Sequence, residues 1–413
     1  MNEQVKSSIN EYGLIHRSVA PLKATTVILN NLDLMDKRSY NNTSFTTHPG
    51  VTASIVKRVI EKIENEQNFT FPKKGNNAKD LNFEQATEIS EALGVPSIRE
   101  KRLALEADGK KTKPVILLVH DAKGGIGKTA LAAGLGVEGG HDILNRPRTL
   151  VIDGDPQGSH RHLFAPNLES KSGPQQLINA SKDQKRSEIL KPEHQAKLRN
   201  YMYSSNMIMD TYIENLKLMP SNELEKFLNV DLSLAQSKRG NEAFALYSDV
   251  ILRPLYDDFD LIIIDANPAV DTTLYSLFYA ADHHIIPVTG LQQDVNAFVE
   301  YLEVAQMILE KLQPEDATGM KSVRTVVTKH SKSNKDAEQR GEAINGSHGS
   351  LGTMMLESKK LYEEANANNV PVQLFSSSSR SVKTVRDNLK TIYQSATLLP
   401  FQDYNLIDEA FNG

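Results

Sequence analysis

The sequence predicts an α/β protein in which a smaller helical domain precedes a doubly wound, mostly parallel sheet. Two observations support this fold class. From residue 115 onward, five apolar runs of strand length alternate with stretches of helical spacing. Three of these runs end in a glycine-rich loop or in aspartates, and ligands bind at the carboxyl ends of parallel strands. The runs are Val115–Val119, Thr149–Ile152, Leu261–Ile264, His284–Val288 and Val323–Val327. We therefore expect one composite site along one edge of the sheet.

The first apolar run opens into a loop with the composition of a phosphate cradle. The residues after it read KGGIGKT and lead into a helical stretch. Glycines let backbone N–H groups converge on phosphate oxygens at a helix N-terminus. Lys128 would reach the β- and γ-phosphates, and the Thr129 hydroxyl would bind Mg²⁺. A turn that merely tolerates glycine is the alternative, but the flanking strand and helix favour a P-loop. The predicted ATP-binding residues are Lys123, Gly124, Gly125, Ile126, Gly127, Lys128, Thr129 and Ala130.

Aspartates follow two further apolar runs. In VIDGDPQGS, Asp153 and Asp155 flank a glycine, and Pro156 indicates that the chain turns there. FDLIIIDANP is a Walker-B-type strand that ends at Asp265, a carboxylate placed to anchor Mg²⁺ through water. A solvent-exposed turn rich in Asp and Pro is the alternative for the first segment.

Two regions precede the sheet. Residues 1–45 have the spacing of short amphipathic helices, either an arm that contacts a partner subunit or a cover for their own domain. Within residues 46–106 the sequence predicts a helix capped by Thr52 and a short strand over residues 69–71. A basic turn follows from Pro72, and a second helix begins near Asn82, which has capping-box spacing to Gln85. This order is typical of a winged helix-turn-helix. Residues 107–114 form the predicted linker, and residues 115–413 the main domain.

Basic residues in two regions are candidates for DNA contact. Lys57, Arg58 and Lys62 would face a groove. The residues that would contact phosphates are Lys73, Lys74 and Lys79. A solvated helical domain is the alternative interpretation. Near the C-terminus the segment RSVKTVRDNLK gathers further positive charge, including Arg380 and Lys383, for which the solvated face of a helix is the alternative. Residues 166–206 predict exposed helices, and residues 331–352 a polar loop.

Composition excludes several classes of protein. The 413 residues carry a net charge of −5, so any nucleic-acid contact must use local patches. The absence of cysteine excludes disulfides, Cys zinc sites and iron–sulfur clusters. No apolar run approaches the roughly 20 residues of a membrane span, and the polar N-terminus is unlike a signal peptide. We therefore expect a cytoplasmic protein with no membrane partner.

Four motifs in order, KGGIGKT, VIDGDPQGS, FDLIIIDANP and the IIPV strand, resemble those of ParA-type DNA-partition ATPases with a deviant P-loop. The resemblance is to the larger plasmid and secondary-chromosome type, which carries an N-terminal winged helix-turn-helix, and it covers Thr52 to Leu389. The segment GVPSIREKR also resembles that family. The chain departs from it at DANP, where many relatives have two prolines, and at Ala130, where a second threonine is common.

This resemblance implies roles for individual residues. Lys123 would contact the nucleotide of the partner subunit across a homodimer, and Lys128 would hold the phosphates. Thr129, Asp153 and Asp265 would organise Mg²⁺. Asp155 would orient the attacking water, so the catalytic residues would be Lys123, Lys128 and Asp155. The segment SRSVKTVRD resembles the family's nonspecific DNA-binding segment, which favours DNA contact by Arg380 and Lys383.

At the level of the whole protein, the resemblance implies an ATPase that positions a plasmid or chromosome. The ATP-bound dimer would bind DNA nonspecifically at the nucleoid, with higher assemblies an open alternative. A centromere-bound ParB-type partner would stimulate hydrolysis, and the N-terminal domain would repress the protein's own operon. The main alternative is a nucleotide-responsive transcriptional repressor without significant ATPase cycling. A MinD-like membrane ATPase is disfavoured by the acidic C-terminal tail, an iron-protein-like reductase by the absence of cysteine, and a metabolic ligase by the N-terminal unit.

Overall fold

A computed structural model describes residues 38–75, 78–156, 158–165, 172–376 and 380–406. Most of the predicted N-terminal arm therefore lies outside the described residues. The strands are β1 (Lys73–Lys74), β2 (Ala78–Lys79), β3 (Val115–Val119), β4 (Thr149–Asp153), β5 (Met209–Asp210), β6 (Leu216–Met219), β7 (Leu261–Asp265), β8 (His283–Val288) and β9 (Ser322–Val327).

Seven strands form the central sheet, in the order β5-β6-β4-β7-β3-β8-β9. All neighbours in it are parallel except β5 and β6. Every residue of β3, β4, β7 and β8 is buried, as expected for strands covered by helices on both faces. The predicted fold class, a doubly wound and mostly parallel sheet, is confirmed.

Fourteen α-helices surround the two sheets within the described ranges. They are α1 (Ala53–Glu66), α2 (Phe83–Ala92), α3 (Ile98–Ala107), α4 (Lys128–Gly140), α5 (Ser159–Phe164), α6 (Pro174–Ser181), α7 (Arg186–Ile189), α8 (Pro192–Ser204), α9 (Leu228–Arg239), α10 (Thr272–Ala280), α11 (Gln292–Lys311), α12 (Lys335–Asn345), α13 (Lys359–Ala367) and α14 (Arg380–Asp403). Short 3₁₀ or π-helical segments span Asn42–Ser44, Glu223–Phe227, Gly240–Ala245, Tyr247–Leu252 and Arg253–Leu255.

The two faces of the sheet have separate apolar cores. Alternate residues of a strand point to opposite faces, and β3 shows this directly. Ile116 and Leu118 pack in the core that includes residues of α6 and α8–α11, whereas Leu117 packs with α4 and α14. The P-loop helix α4 is therefore held between the sheet and the C-terminal helix.

Two local predictions are wrong. Residues 69–71 form no strand; Phe71 is a buried core residue, and the hairpin β1–β2 starts two residues later within the predicted basic turn. The predicted loop over residues 331–352 contains α12, whose first turn is capped by Asn334 accepting from the Ala337 amide at 3.1 Å. Both segments are short or polar, so they bury too little apolar surface to reveal a period.

The residues before the sheet pack as a compact unit. Tyr40 and Phe45 join α1, α2 and Phe71 in a third apolar cluster, which also includes Ile143 and Leu144 of the segment after α4. Thr52 caps α1, and the Asn82–Gln85 capping box of α2 is present as predicted. The order helix, hairpin, helix matches the predicted order of elements; its assignment as a winged helix-turn-helix remains a prediction.

Helix α3 binds this N-terminal unit to the main domain. Arg102 and Asp260 form an ion pair, 2.9 Å between Nη1 and Oδ1, in which both side chains are fully buried. Arg102 also donates to the backbone carbonyls of Phe259 and Tyr256. Extensive contacts therefore cross the predicted linker, and the division into domains at residues 106 and 114 remains a prediction.

Among the helices that the structure describes, none combines the length and apolar character that crossing a lipid bilayer requires.

Candidate functional site

The P-loop lies between the end of β3 and the start of α4. Gly127 precedes the helix with φ at +96°, a left-handed conformation that glycine adopts without strain. Lys128 is buried, and its Nζ donates to the carbonyl oxygen of Lys123 at 2.6 Å. Burial lowers the pKa of the Lys128 ammonium, while Asp121, Asp265 and Asp155 act in the opposite direction. Several carboxylates therefore surround this lysine.

Strand register brings the predicted metal residues together. Asp153 at the end of β4 is paired with Asp265 at the end of β7, and Asp265 is in turn paired with Val119 of β3. An added Cβ on Gly154 would lie 2.8 Å from the Asp265 carbonyl oxygen, so glycine permits this close approach. Thr129, the second residue of α4, is half-buried. The predicted phosphate-binding and metal-binding residues thus share one edge of the sheet.

The aspartates at this edge are arranged by the turn that follows β4. Asp153 accepts from the Asp155 amide at 3.1 Å through Oδ1, and from the His160 amide at 3.1 Å through Oδ2. Burial raises the pKa of the Asp153 carboxyl to about 6. Asp155 is half-buried beside it. The turn predicted from glycine and proline therefore does place two aspartates at one site.

His160 was not among the residues predicted from the sequence. It is fully buried in α5, and its Nε2 lies 2.9 Å from Oδ2 of Asp265. Burial disfavours protonation, but the hydrogen bond to Asp265 and the charges of Asp153, Asp265 and Asp155 outweigh it and raise the pKa of His160. The available signal was a histidine directly after DPQGS. One potential metal-binding group in the described part of the chain is Asp153, His160 and Asp265, with ligand atoms within 4.8 Å of one another.

Lys123 differs from Lys128 in its exposure. Its side chain is 40% exposed, and its Nζ lies 3.9 Å from Oδ1 of Asp294 at the start of α11. Asp294 itself accepts from the Thr289 hydroxyl at 2.6 Å. The Lys123 amide donates to Asp121 at 2.7 Å, and burial raises the pKa of the Asp121 carboxyl to about 6. The Lys123 ammonium is thus within reach of solvent and of a second molecule.

The predicted DNA-binding residues lie on two surfaces. Lys57 and Arg58 are exposed on α1, and Lys57 lies 3.7 Å from Glu61. Lys73 and Lys74 are exposed on the hairpin. Lys383 is exposed on α14, whereas the side chain of Arg380 lies outside the described residues.

The prediction for Lys79 is wrong. Its side chain is 11% exposed and forms an ion pair with Glu64 of α1. Glu64 also accepts from the Phe71 amide at 2.7 Å. Lys79 therefore joins the hairpin to α1 instead of facing outward.

Comparison with known proteins is consistent with this geometry. A family model described as an AAA domain matches residues 114–315, which include the P-loop and both metal-site strands. Residues 114–315 are a ParA-type AAA domain. The predicted resemblance to ParA-type ATPases is confirmed for this segment, whereas the N-terminal winged helix-turn-helix of the larger type remains a prediction.

Individual relatives of the ParA-type domain are distant. The chain is 21% identical over 277 residues to "Plasmid partition protein A" of Escherichia coli, covering 64% of this chain and 62% of that protein. It is 27% identical over 168 residues to "Virulence plasmid ParA family protein pGP5-D" of Chlamydia psittaci, covering 40% and 54%. The chain spans roughly half to two thirds of the length of the curated relatives it matches.

A solved structure named "Partition Protein" extends the likeness to the fold of nearly the whole chain. It covers 94% of this chain and 98% of its own, with a TM-score of 0.61 and 19% identity. The overall arrangement of elements, including those before the ParA-type domain, is therefore shared with a partition protein.

Proposed function

We propose that this chain is an ATP-dependent DNA-partition ATPase that binds and hydrolyses ATP as a homodimer. The observation that carries the proposal is the register that pairs Asp153 with Asp265 beside the P-loop. Phosphoryl transfer needs phosphate-binding amides, a lysine, a metal and a positioned water at one place. The ParA-type domain and the name of the Escherichia coli relative support partition as the biological setting.

The residues at this edge fit Mg²⁺. Magnesium prefers oxygen ligands, and Thr129, Asp153 and Asp265 supply them. Oδ1 of Asp265 is buried and has no hydrogen-bond partner in the described structure, and a buried polar atom of this kind calls for a ligand. When bound, Mg²⁺ would neutralise charge on the β- and γ-phosphates.

The protein's own groups would then do the remaining chemistry. Lys128 would bind the phosphates, and Asp155 would orient the attacking water. Lys123 would reach the nucleotide of the partner subunit, which its exposure permits. A lysine lent by the second copy makes the ATP-bound dimer the competent state.

In this proposal the ATP-bound dimer binds DNA through exposed basic residues. Lys383 on α14 and the segment that begins at Arg380 would supply nonspecific contacts at the nucleoid. A ParB-type protein bound at the centromere would stimulate hydrolysis and release the DNA, which positions a plasmid or chromosome. Higher assemblies on DNA are compatible with this cycle.

The N-terminal unit would supply a second DNA-binding activity as a winged helix-turn-helix. Lys57 and Arg58 on α1, with Lys73 and Lys74 on the hairpin, would bind the operator of the protein's own operon and repress it. Footprinting of that operator with Lys57→Ala and Arg58→Ala together tests the assignment. We expect the footprint to disappear, and an unaltered footprint would contradict it.

Phosphate release and retention of DNA on filters, measured with ATP, ADP and no nucleotide, test the main proposal. We expect ATP-dependent retention in the wild type and its loss in Lys123→Ala and Lys128→Ala. Lys359→Ala, which changes an exposed lysine of α13, should behave as the wild type. Retention that is unchanged by the first two substitutions, or that needs no ATP, would refute the proposal. Nucleotide-dependent DNA binding without phosphate release would favour the repressor alternative.

A further inference from the structure

One residue touches both carboxylates of the proposed metal site. The backbone amide of His160 donates to Asp153, and its ring lies against Asp265. Because a carboxylate oxygen is an acceptor, the Nε2 atom of His160 must carry the proton in this contact. A single residue at the start of α5 therefore sets the positions of two side chains that come from two different strands.

The His160 ring is itself held firmly. It is fully buried and stacks on Phe164, with ring centroids 5.8 Å apart and an interplanar angle of 4°. Gly158 immediately precedes the helix in a left-handed conformation, with φ at +65°. The imidazole is thus a rigid donor rather than a mobile surface group.

The contact with His160 gives the two carboxylate oxygens of Asp265 different surroundings. Oδ2 is occupied by His160, while Oδ1 is buried and lacks a hydrogen-bond partner in the described part of the molecule. An unpaired buried acceptor destabilises a fold. That penalty is relieved if a metal ion, or a water bound to one, occupies Oδ1.

We propose that His160 is a positioning residue that fixes the Walker B carboxylate, Asp265, so that its free oxygen serves the metal. The inference rests on the Mg²⁺–ATP site proposed above. Partners that orient metal-binding groups typically contribute 10–100-fold in metal affinity. His160 would act through Asp265 and would touch neither nucleotide nor metal.

The test measures binding of a nonhydrolysable ATP analogue by the full-length protein as Mg²⁺ is titrated. We expect His160→Leu to raise the half-saturating Mg²⁺ concentration by about 10–100-fold, with metal-free nucleotide binding unchanged. His160→Gln should recover most of the loss, because its amide N–H can reach Asp265. His162→Leu, two residues later on α5, is the matched control and should not shift the curve.

The outcomes separate this inference from the proposed function. A wild type whose analogue binding ignores Mg²⁺ would refute the metal site itself. A wild type that depends on Mg²⁺, with a His160→Leu curve that superimposes on it, would refute only the role of His160. Equal losses in His160→Leu and His160→Gln would also refute it, because they would assign the ring a packing role.

A repeat of the titration with Mn²⁺ distinguishes positioning from direct ligation. Manganese accepts imidazole nitrogen more readily than magnesium does. If His160→Gln loses Mn²⁺ affinity but keeps Mg²⁺ affinity, the ring is itself a ligand and the positioning role is overturned. Should His160→Leu fail to fold, His160→Asn replaces it, since its shorter amide does not reach the position of Nε2.

Discussion

Replacing Glu225 with Gln should stabilise the protein at alkaline pH and leave it nearly unchanged at acidic pH. Glu225 lies in the 3₁₀ segment Glu223–Phe227, only 7% exposed, and lines a small cavity with Asp153 and Asn267. Its carboxylate accepts from the backbone amide of Gln175 at 3.2–3.3 Å. Burial raises the pKa of this carboxyl from 4.5 to about 7 despite that hydrogen bond.

The direction and size of this difference in the free energy of unfolding follow from proton binding by Glu225. Between pH 4.5 and about 7, the folded state holds a proton on Glu225 that the unfolded state has lost, so the free energy of unfolding falls as pH rises. At about 1.4 kcal/mol per pH unit, the ionised carboxylate destabilises the folded state by about 3 kcal/mol above pH 7. A glutamine keeps an oxygen for the Gln175 amide and never ionises. Its advantage should therefore grow from near zero at pH 4.5 to about 3 kcal/mol at pH 8.

Urea unfolding of both proteins from pH 5 to pH 8, followed by circular dichroism, measures this difference. Other buried carboxyls, such as Asp121 and Asp153, contribute equally to both proteins and cancel. Glu223→Gln, at an exposed position two residues earlier, should show no such trend. A difference between Glu225→Gln and wild type that does not vary with pH would refute the reasoning, as would a wild type that is the more stable at pH 8.

Further predictions concern four single substitutions. Gly127→Ala should lower the free energy of unfolding by about 1–2 kcal/mol and weaken ATP binding by calorimetry, because φ is +96° there; unchanged values would contradict this. Arg102→Leu should destabilise the protein by about 1–3 kcal/mol in urea, because the Phe259 and Tyr256 carbonyls lose a buried donor while Arg148 still pairs with Asp260; a loss below about 1 kcal/mol, as for an exposed pair, would be inconsistent. Lys73→Ala should reduce the slope of log affinity for DNA against log salt by about 1. Lys79→Ala should instead lower the melting temperature and leave that slope intact, and the reverse pattern would show that the ion pair with Glu64 has been misjudged.

Long apolar runs made the sheet predictable. Strands β3 and β7 are buried on both faces and are apolar throughout, except for the aspartate that ends β7. Such continuous apolar runs of strand length are typical of buried parallel strands. The hairpin and α12 were not predictable in the same way. Lys73–Lys74 and Lys335–Asn345 bury almost nothing, and their structure depends on caps and on neighbouring elements.

The site was predictable where a motif lies at a strand end. Lys128, Asp153 and Asp265 were found because adjacent parallel strands deliver their carboxyl ends to one edge. His160 was not found, since its importance comes from a contact with Asp265, 105 positions away in the chain. The prediction for Lys79 was wrong for the same reason, because its pairing with Glu64 depends on how the hairpin packs against α1.

The contacts between the N-terminal unit and the ParA-type domain bear on how this protein can be dissected. Arg38 pairs with Glu138 at 2.7 Å, and Tyr40 donates to the carbonyl of His141 at 3.0 Å, both at the far end of the P-loop helix. A version shortened to begin after the linker would uncover Ile143 and remove Arg102 from the interior. Loss of operator binding by such a fragment would reflect misfolding, so it would not test whether the N-terminal unit contacts the operator. Substitutions at exposed positions of α1 are the better test, because they leave the shared apolar interior intact.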